Sequence, residues 1–173
     1  NKPNAVFVDM DRRALGHVGA IAQEINLDFD FIPVEANLVS DFLYAREPHH
    51  NLPPESFDVV DALGITEYFK DRRVTHLLKK AYELVKPGGA LIFGNMLDTH
   101  PTLGFNQQIV EWPGVVPRSR ELLATIASDV AGVGNVEMYI PESGIYAVLK
   151  LEKPKSHDLP QFARPLGSTA LVH

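Results

Sequence analysis

The reading of this chain turns on two stretches, 57-FDVVDALG-64 and 84-LVKPGGALI-92. The first is a nearly unbroken apolar run around Asp58, the pattern of a strand buried on both faces of a parallel sheet. In the second, Pro87 cannot continue a helix, and Gly88-Gly89 allow a positive-φ turn into the apolar residues from Ala90 onward. Between the two, Val74, Leu77, Leu78, Ala81, Leu84 and Val85 recur at helical spacing. The spacing predicts a helix over 71–86, stopped by Pro87-Gly88-Gly89, and a strand over 90–95. Strand, helix and strand at these lengths form a βαβ unit, so the sheet is parallel and carries helices on its faces.

Working upstream, Ala5 to Val8 is a β-prone run that ends in Asp9. Asp11 is placed to cap a helix whose apolar face is Leu15, Val18, Ile21, Ala22 and Ile25, stopping near Asn26. A strand over 29–34, with Pro33 near its end, follows. Residues 39–44 read as a short helix or helical turn, and 47–56 (EPHHNLPPES) as a loop. Downstream, 96–117 reads as a long loop with at most one helical turn. Leu122, Leu123, Ile126, Ala127 and Val130 mark a helix over 118–130. Strands over 136–140 and 145–151 are joined by Pro141-Glu142-Ser143-Gly144, a hairpin signal that adds an antiparallel pair at one edge. One domain over 1–153 is expected, with 154–173, which has three prolines and no periodicity, as a surface-lying or disordered tail.

Composition narrows the function classes. The chain has 173 residues, 45% of them hydrophobic, the size and apolar content of one globular domain. No run approaches the ~18 apolar residues of a membrane span, and the first residues do not form a basic-then-apolar leader. The absence of cysteine excludes disulfides, thiolate metal sites and cysteine nucleophiles, and fits a cytoplasmic protein. With a net charge of −6 and basic residues clustered only in pairs such as Arg12-Arg13 and Arg72-Arg73, the sequence lacks the footprint of a nucleic-acid binder. No histidine pair has metal-ligand spacing, so no metal is expected. The opening residue Asn1, followed almost at once by an apolar run, reads as a chain cut or processed upstream.

Four segments, in order, carry a resemblance. They are Val6-Phe7-Val8-Asp9-Met10-Asp11, then Phe31 through Asn37 (FIPVEAN), then 57-FDVVDALG-64 continuing to Glu67-Tyr68, and 84-LVKPGGALI-92. Over roughly residues 5–153 the chain resembles a class I S-adenosylmethionine-dependent methyltransferase. The resemblance implies a mostly parallel, Rossmann-like three-layer α/β sandwich with a C-terminal antiparallel hairpin. It implies S-adenosylmethionine as cofactor, with Asp9 and Met10 at the ribose, Glu35, Ala36 or Asn37 at the adenine, and Asp61, Ala62 and Leu63 along the methionine part. In the family, a first strand and a Gly-x-Gly-x-Gly turn precede the segment matched by Val6–Asp9. That strand lies mid-sheet, between the strands matched here by 5–8 and 57–62. Gly16 and Gly19 fall inside a helical pattern and do not replace the turn, so the first strand is missing from this sequence and two strand edges are expected to lack a partner.

Candidates for the methyl acceptor's side are Tyr68, Asn95, His100, Phe105 and Trp112. His100 reads either as a general base just past the fifth family strand or as a solvated loop histidine. His49-His50 read as solvated and His76 as a surface or boundary residue. Phe105, Trp112 and Pro113 read as an apolar lid or as anchors of a long loop. The Asp61-Ala62-Leu63-Gly64 loop is unlike the Asn-Pro-Pro-Tyr loops used on exocyclic amines, which favours a small-molecule acceptor. Homodimerisation is left open. Two rival readings are a non-catalytic methyltransferase-like interaction domain and a nicotinamide-dependent enzyme.

Overall fold

The computed structural model describes residues 3–44, 52–101, 103–108, 114–132 and 134–155. Strand β1 (Asn4–Asp9) leads through helix α1 (Arg12–Glu24) to β2 (Asp30–Glu35), and β1 and β2 pair in parallel. A π-helical segment, Leu38–Leu43, follows. Strand β3 (Phe57–Ala62), a 3-10 turn (Thr66–Tyr68) and helix α2 (Asp71–Leu84) lead to β4 (Val85–Met96). Helices α3 (Leu103–Gln108) and α4 (Arg120–Ala131) precede β5 (Asn135–Tyr139) and β6 (Tyr146–Glu152). The second sheet runs β3-β4-β6-β5, with β3 parallel to β4 and β6 antiparallel to both β4 and β5. The last strand thus lies between β4 and its hairpin partner β5. Gly144, at φ +63, closes the turn through its amide to the Pro141 carbonyl.

The elements have local causes. The Asp11 carboxylate accepts from the Arg13 amide at 2.8 Å and starts α1, and Asn26 ends it in the left-handed region at φ +53. Gly19 lets α1 lie on β2, since a Cβ there would meet the Phe31 ring at 3.1 Å. Ser119 caps α4. The main core lies between α2, α4 and the second sheet, around Val74, Leu78, Phe93, Leu123 and Leu149.

Several expectations change. Strand β4 begins at Val85, so Lys86-Pro87-Gly88-Gly89 lies within the strand as a bulge rather than before it, and register shifts between Phe57 and Val59. Gly89 is required there, because a Cβ would approach the Asp58 carbonyl to 2.6 Å. Arg118 stands ahead of α4 and not in it, bridged to Leu97. The stretch after β4 contains α3.

The largest correction concerns β3. It was expected to be buried on both faces, yet Val59 is 57% exposed. Within the described residues β3 pairs with β4 alone, and β1 with β2 alone. These are the two edges the resemblance leaves without a partner. Ile21 and Ile25, on the expected apolar face of α1, are exposed as well. Lys155 packs over Gly88, and residues 156–173, most of the expected tail, lie outside the described residues.

Candidate functional site

In open parallel sheets, ligands sit outside the carboxyl ends of the strands. Here those ends carry Asp9 on β1, Glu35 on β2, Asp61-Ala62 on β3 and Asn95-Met96 on β4. Asp9 and Glu35 are register partners and both are exposed. One Asp9 carboxylate oxygen accepts from the Asp11 amide at 2.8 Å, which fixes the side chain at the strand end. Met10 beside it is exposed. Glu35 lies 4.0 Å from the Arg12 guanidinium, a solvated pair.

The proposed adenine positions are partly committed elsewhere. The Ala36 amide donates to the Asp9 carbonyl at 3.0 Å, and Ala36 is buried. The Asn37 amide donates to the Asp41 carboxylate, and its Oδ1 caps the π-helical segment through Val39 and Ser40. Neither amide is therefore available to a ring nitrogen, and the Asn37 carbonyl oxygen is spent on capping. On this loop the Glu35 carboxylate is the group left facing solvent. Asp61 Oδ1 accepts from the Leu63 amide at 2.8 Å, an Asx turn that shapes the loop after β3 and leaves Leu63 exposed.

The acceptor-side candidates separate. Asn95 is fully buried, and all its polar atoms are engaged. Its Oδ1 accepts from Arg118 Nη1 at 2.6 Å and Thr66 Oγ1 at 2.9 Å. Its Nδ2 donates to the Met96 and Val116 carbonyls. Asn95 thus ties the end of β4 to Thr66, Val116 and Arg118. His100 is 7% exposed, so the solvated reading fails; its amide turns back to the Leu97 carbonyl. Tyr68 and Phe105 are exposed. Trp112, Pro113 and His49-His50 lie outside the described residues. His76, read as a boundary residue, bonds through Nε2 to the Leu43 carbonyl at 3.1 Å.

Sequence reasoning missed two features. The first is the guanidinium of Arg118, whose side chain is fully buried. It donates from Nε to Asp71, from Nη1 to Asn95 and the Thr66 carbonyl, and from Nη2 to the Phe69 carbonyl. It ties the loop after β3 to the end of β4 and the start of α2. A charged residue beside Pro117 gave no signal, since a solvated helix-start arginine was the natural reading.

The second is a Glu67–Tyr146 pair. Glu67 is 6% exposed on the 3-10 turn, and its backbone carbonyl accepts from the Val116 amide at 2.8 Å. Tyr146 opens β6 opposite Met96, and its hydroxyl accepts from the Gly64 amide at 3.3 Å while bonding to the Glu67 carboxylate. Burial, then the neighbouring Glu67 carboxylate, push the Tyr146 phenol well above its ordinary range, so it stays a neutral donor. The Glu67 Oε2 atom is buried without a hydrogen-bond partner among the described residues. Among these residues no group of three or more His, Asp or Glu side chains could hold a metal, and no helix is long and apolar enough to cross a membrane.

No protein-family model matches the chain. A curated relative, the 27-O-demethylrifamycin SV methyltransferase of Amycolatopsis mediterranei, is 27% identical over 132 residues, which cover 75% of this chain and 42% of the relative. Among solved structures, the S-adenosylmethionine-dependent methyltransferase SibL superposes with a TM-score of 0.66 at 18% identity, covering 87% of this chain and 43% of that one. An O-methyltransferase family protein from Burkholderia thailandensis does so with a TM-score of 0.61 at 22% identity, covering 87% and 44%. The chain thus spans less than half the length of these relatives.

Proposed function

We propose that this chain, which has the fold of the class I S-adenosylmethionine-dependent methyltransferases and a methyltransferase as its curated relative, forms part of an enzyme that moves a methyl group from S-adenosylmethionine to a small-molecule nucleophile. One observation carries the reading: Asp9 stands exposed at the carboxyl end of β1, held by the Asp11 amide and in register with Glu35. That arrangement suits the cofactor, because a fixed carboxylate at a strand end can accept from the hydroxyls of a ribose lying across the sheet edge. The Glu35 carboxylate, exposed at the end of β2, can accept from an adenine amino group.

The bound cofactor supplies an electrophilic methyl on a sulfonium. The chain's own share is then to hold donor and acceptor in line and to exclude water. The Asp61–Leu63 turn and the Arg118-tied loop form a rigid floor for that task. The acceptor is proposed to be a hydroxylated small molecule, since the curated relative is named for a demethylrifamycin and a structural neighbour for O-methyl transfer. The net charge of −6 accords with an acceptor other than nucleic acid, and the lack of cysteine with a cytoplasmic setting.

Isothermal titration of S-adenosylhomocysteine into the protein at its natural length tests the reading. Binding that Asp9→Ala weakens at least about tenfold is expected. No binding, or binding of a nicotinamide dinucleotide instead, would sink it. Cofactor binding with no transfer to any hydroxylated acceptor would favour a non-catalytic domain.

A further inference from the structure

A buried carboxylate oxygen with no donor is rare in a folded protein, because the group loses water and gains nothing in return. Glu67 Oε2 is such an atom among the described residues. Its surroundings are built to keep it in place. The Glu67 backbone carbonyl is held by the Val116 amide, and the preceding Thr66 is fully buried, its hydroxyl donating to Asn95 Oδ1 at 2.9 Å. The Tyr146 hydroxyl stands against the Glu67 carboxylate. That tyrosine reaches the loop only because residue 94 is glycine: a Cβ there would lie 2.3 Å from Tyr146 Cε1 and 2.9 Å from Leu63 Cδ2. Tyr146 pairs with Met96, the last residue of β4, and Gly64 follows the end of β3. The pair therefore stands at the carboxyl ends of the two strands beside which ligands of this fold class bind.

We propose that the unpaired oxygen of Glu67 receives an N–H or O–H donor from the bound ligands, either the acceptor's nucleophilic group or the α-ammonium of the methyl donor. The inference rests on the methyl-transfer reading and deepens it. A carboxylate suits either donor, since hydrogen bonds to a charged acceptor are short and strong. Tyr146 acts as a positioning residue: its hydroxyl, set against the carboxylate, holds the direction of the group. The sequence-based candidate His100 needs no part in this.

Three probes distinguish the sources without knowledge of the acceptor. S-adenosylhomocysteine carries the α-ammonium and nothing at the methyl position. Sinefungin carries the α-ammonium and an amine where the transferred methyl would sit. 5′-Methylthioadenosine carries neither amine. Titrated into the protein at its natural length, Glu67→Gln is expected to weaken sinefungin by about tenfold or more while leaving the other two within about twofold, if the oxygen faces the acceptor's nucleophile. Equal weakening of sinefungin and S-adenosylhomocysteine, with 5′-methylthioadenosine unchanged, assigns the oxygen to the α-ammonium. Unchanged affinities for all three in a folded variant overturn the proposal. Should Glu67→Gln fail to fold, Tyr146→Phe keeps the carboxylate but releases its aim. It is expected to shift the ratio of affinities among the three probes, and an unchanged ratio in a folded Tyr146→Phe counts as refutation. If the unaltered protein binds none of the probes, the methyl-transfer reading fails first and this inference falls with it.

Discussion

Replacing Arg118 with Met removes the most buried charge in the structure while keeping a long, flexible side chain in its place. Arg118 makes five interior or half-buried bonds. The Asp71 partner is half exposed, so its loss is cushioned by water and contributes little. Asn95 Oδ1 keeps its bond from Thr66 Oγ1. The Thr66 and Phe69 carbonyls lose the guanidinium donors Nη1 and Nη2. The Phe69 carbonyl is left bare, at about 1–3 kcal/mol, while the Thr66 carbonyl keeps the Phe69 amide at 3.3 Å, so the lost bonds to Thr66 and Asn95 add about 0.5–1.5 kcal/mol each and the sum is about 2–6 kcal/mol. Relief of the desolvated guanidinium returns part of this, since a buried ion carries a penalty of its own. A net loss of about 3 kcal/mol is expected, which for a chain of this size lowers Tm by about 6–12 °C.

Urea or thermal denaturation followed by circular dichroism measures it. Arg118→Lys is the informative companion. It restores the charge but not the planar fork, so it should recover less than half of the loss. A change below about 1 kcal/mol for Arg118→Met would refute the argument that this guanidinium organises the loop after β3. Full recovery in Arg118→Lys would show that charge alone, and not the three-way tie, matters.

Gly94→Ala should destabilise by about 1–3 kcal/mol through overpacking, measured by denaturant melts, because the new methyl lands on the Tyr146 ring and the Ala147 carbonyl. Burial raises the Tyr146 phenol from its ordinary value of 10.0, so its folded form stays protonated after the unfolded chain has lost the proton. Its contribution is complete below about pH 10 and declines above it, by at most about 1.4 kcal/mol per pH unit. Tyr146→Phe should therefore flatten the fall in stability between pH 10 and 11.5 in urea melts, and an unchanged slope would contradict the buried placement. Asp9→Ala should weaken S-adenosylhomocysteine at least about tenfold by calorimetry while leaving Tm nearly unchanged, since the side chain is exposed and its one bond is to the Asp11 amide. In the protein at its natural length, hydrogen exchange should find the outward amides of β1 and β3 protected if a further strand lies between them; fast exchange at both edges would show them open.

Much of the architecture was legible because it rests on local chemistry. Strand β3 occupies the range its apolar run predicted. Asp11 caps α1, and Val74, Leu77, Leu78, Ala81 and Leu84 are buried on α2, as their spacing required. Periodicity could not tell that β6 enters between β4 and β5, since a hairpin signal reports adjacency in sequence and not which strand joins the sheet. Nor could it place Lys86-Pro87-Gly88-Gly89 inside a strand. The glycines serve a contact with the Asp58 carbonyl that only the folded register creates. The place of Asp9 at the end of β1 was legible because a strand-end acid is a position in the chain. The burial of Asn95 was not legible, because its engagement by Arg118 and Val116 is a fact of tertiary packing.

Glu67 illustrates the same limit from the other side. In the sequence it is one acid in the loop after 57-FDVVDALG-64, with no sign that it is buried. Only the pairing of Met96 with Tyr146, and the absence of a side chain at Gly94, turn it into a buried carboxylate beside Tyr146 with an oxygen unpaired among the described residues. The contrast with Asp9 is instructive. Asp9 keeps water and can wait for a ligand at little cost, so a strand-end carboxylate there demands no partner for stability. Glu67 has given up water already. Such an atom either costs the fold stability for no gain or receives a partner when the site fills. On the proposed reading the two carboxylates therefore play unlike parts: Asp9 adds affinity for the donor's sugar, and Glu67 repays its burial only once ligands are in place. It follows that saturating S-adenosylhomocysteine or sinefungin should raise the stability of the unaltered protein by mass action. In Glu67→Gln, sinefungin's increment alone should shrink if the oxygen faces the nucleophile, whereas both increments should shrink if it faces the α-ammonium. Equal increments in the two proteins for both ligands would leave Glu67 a purely structural residue.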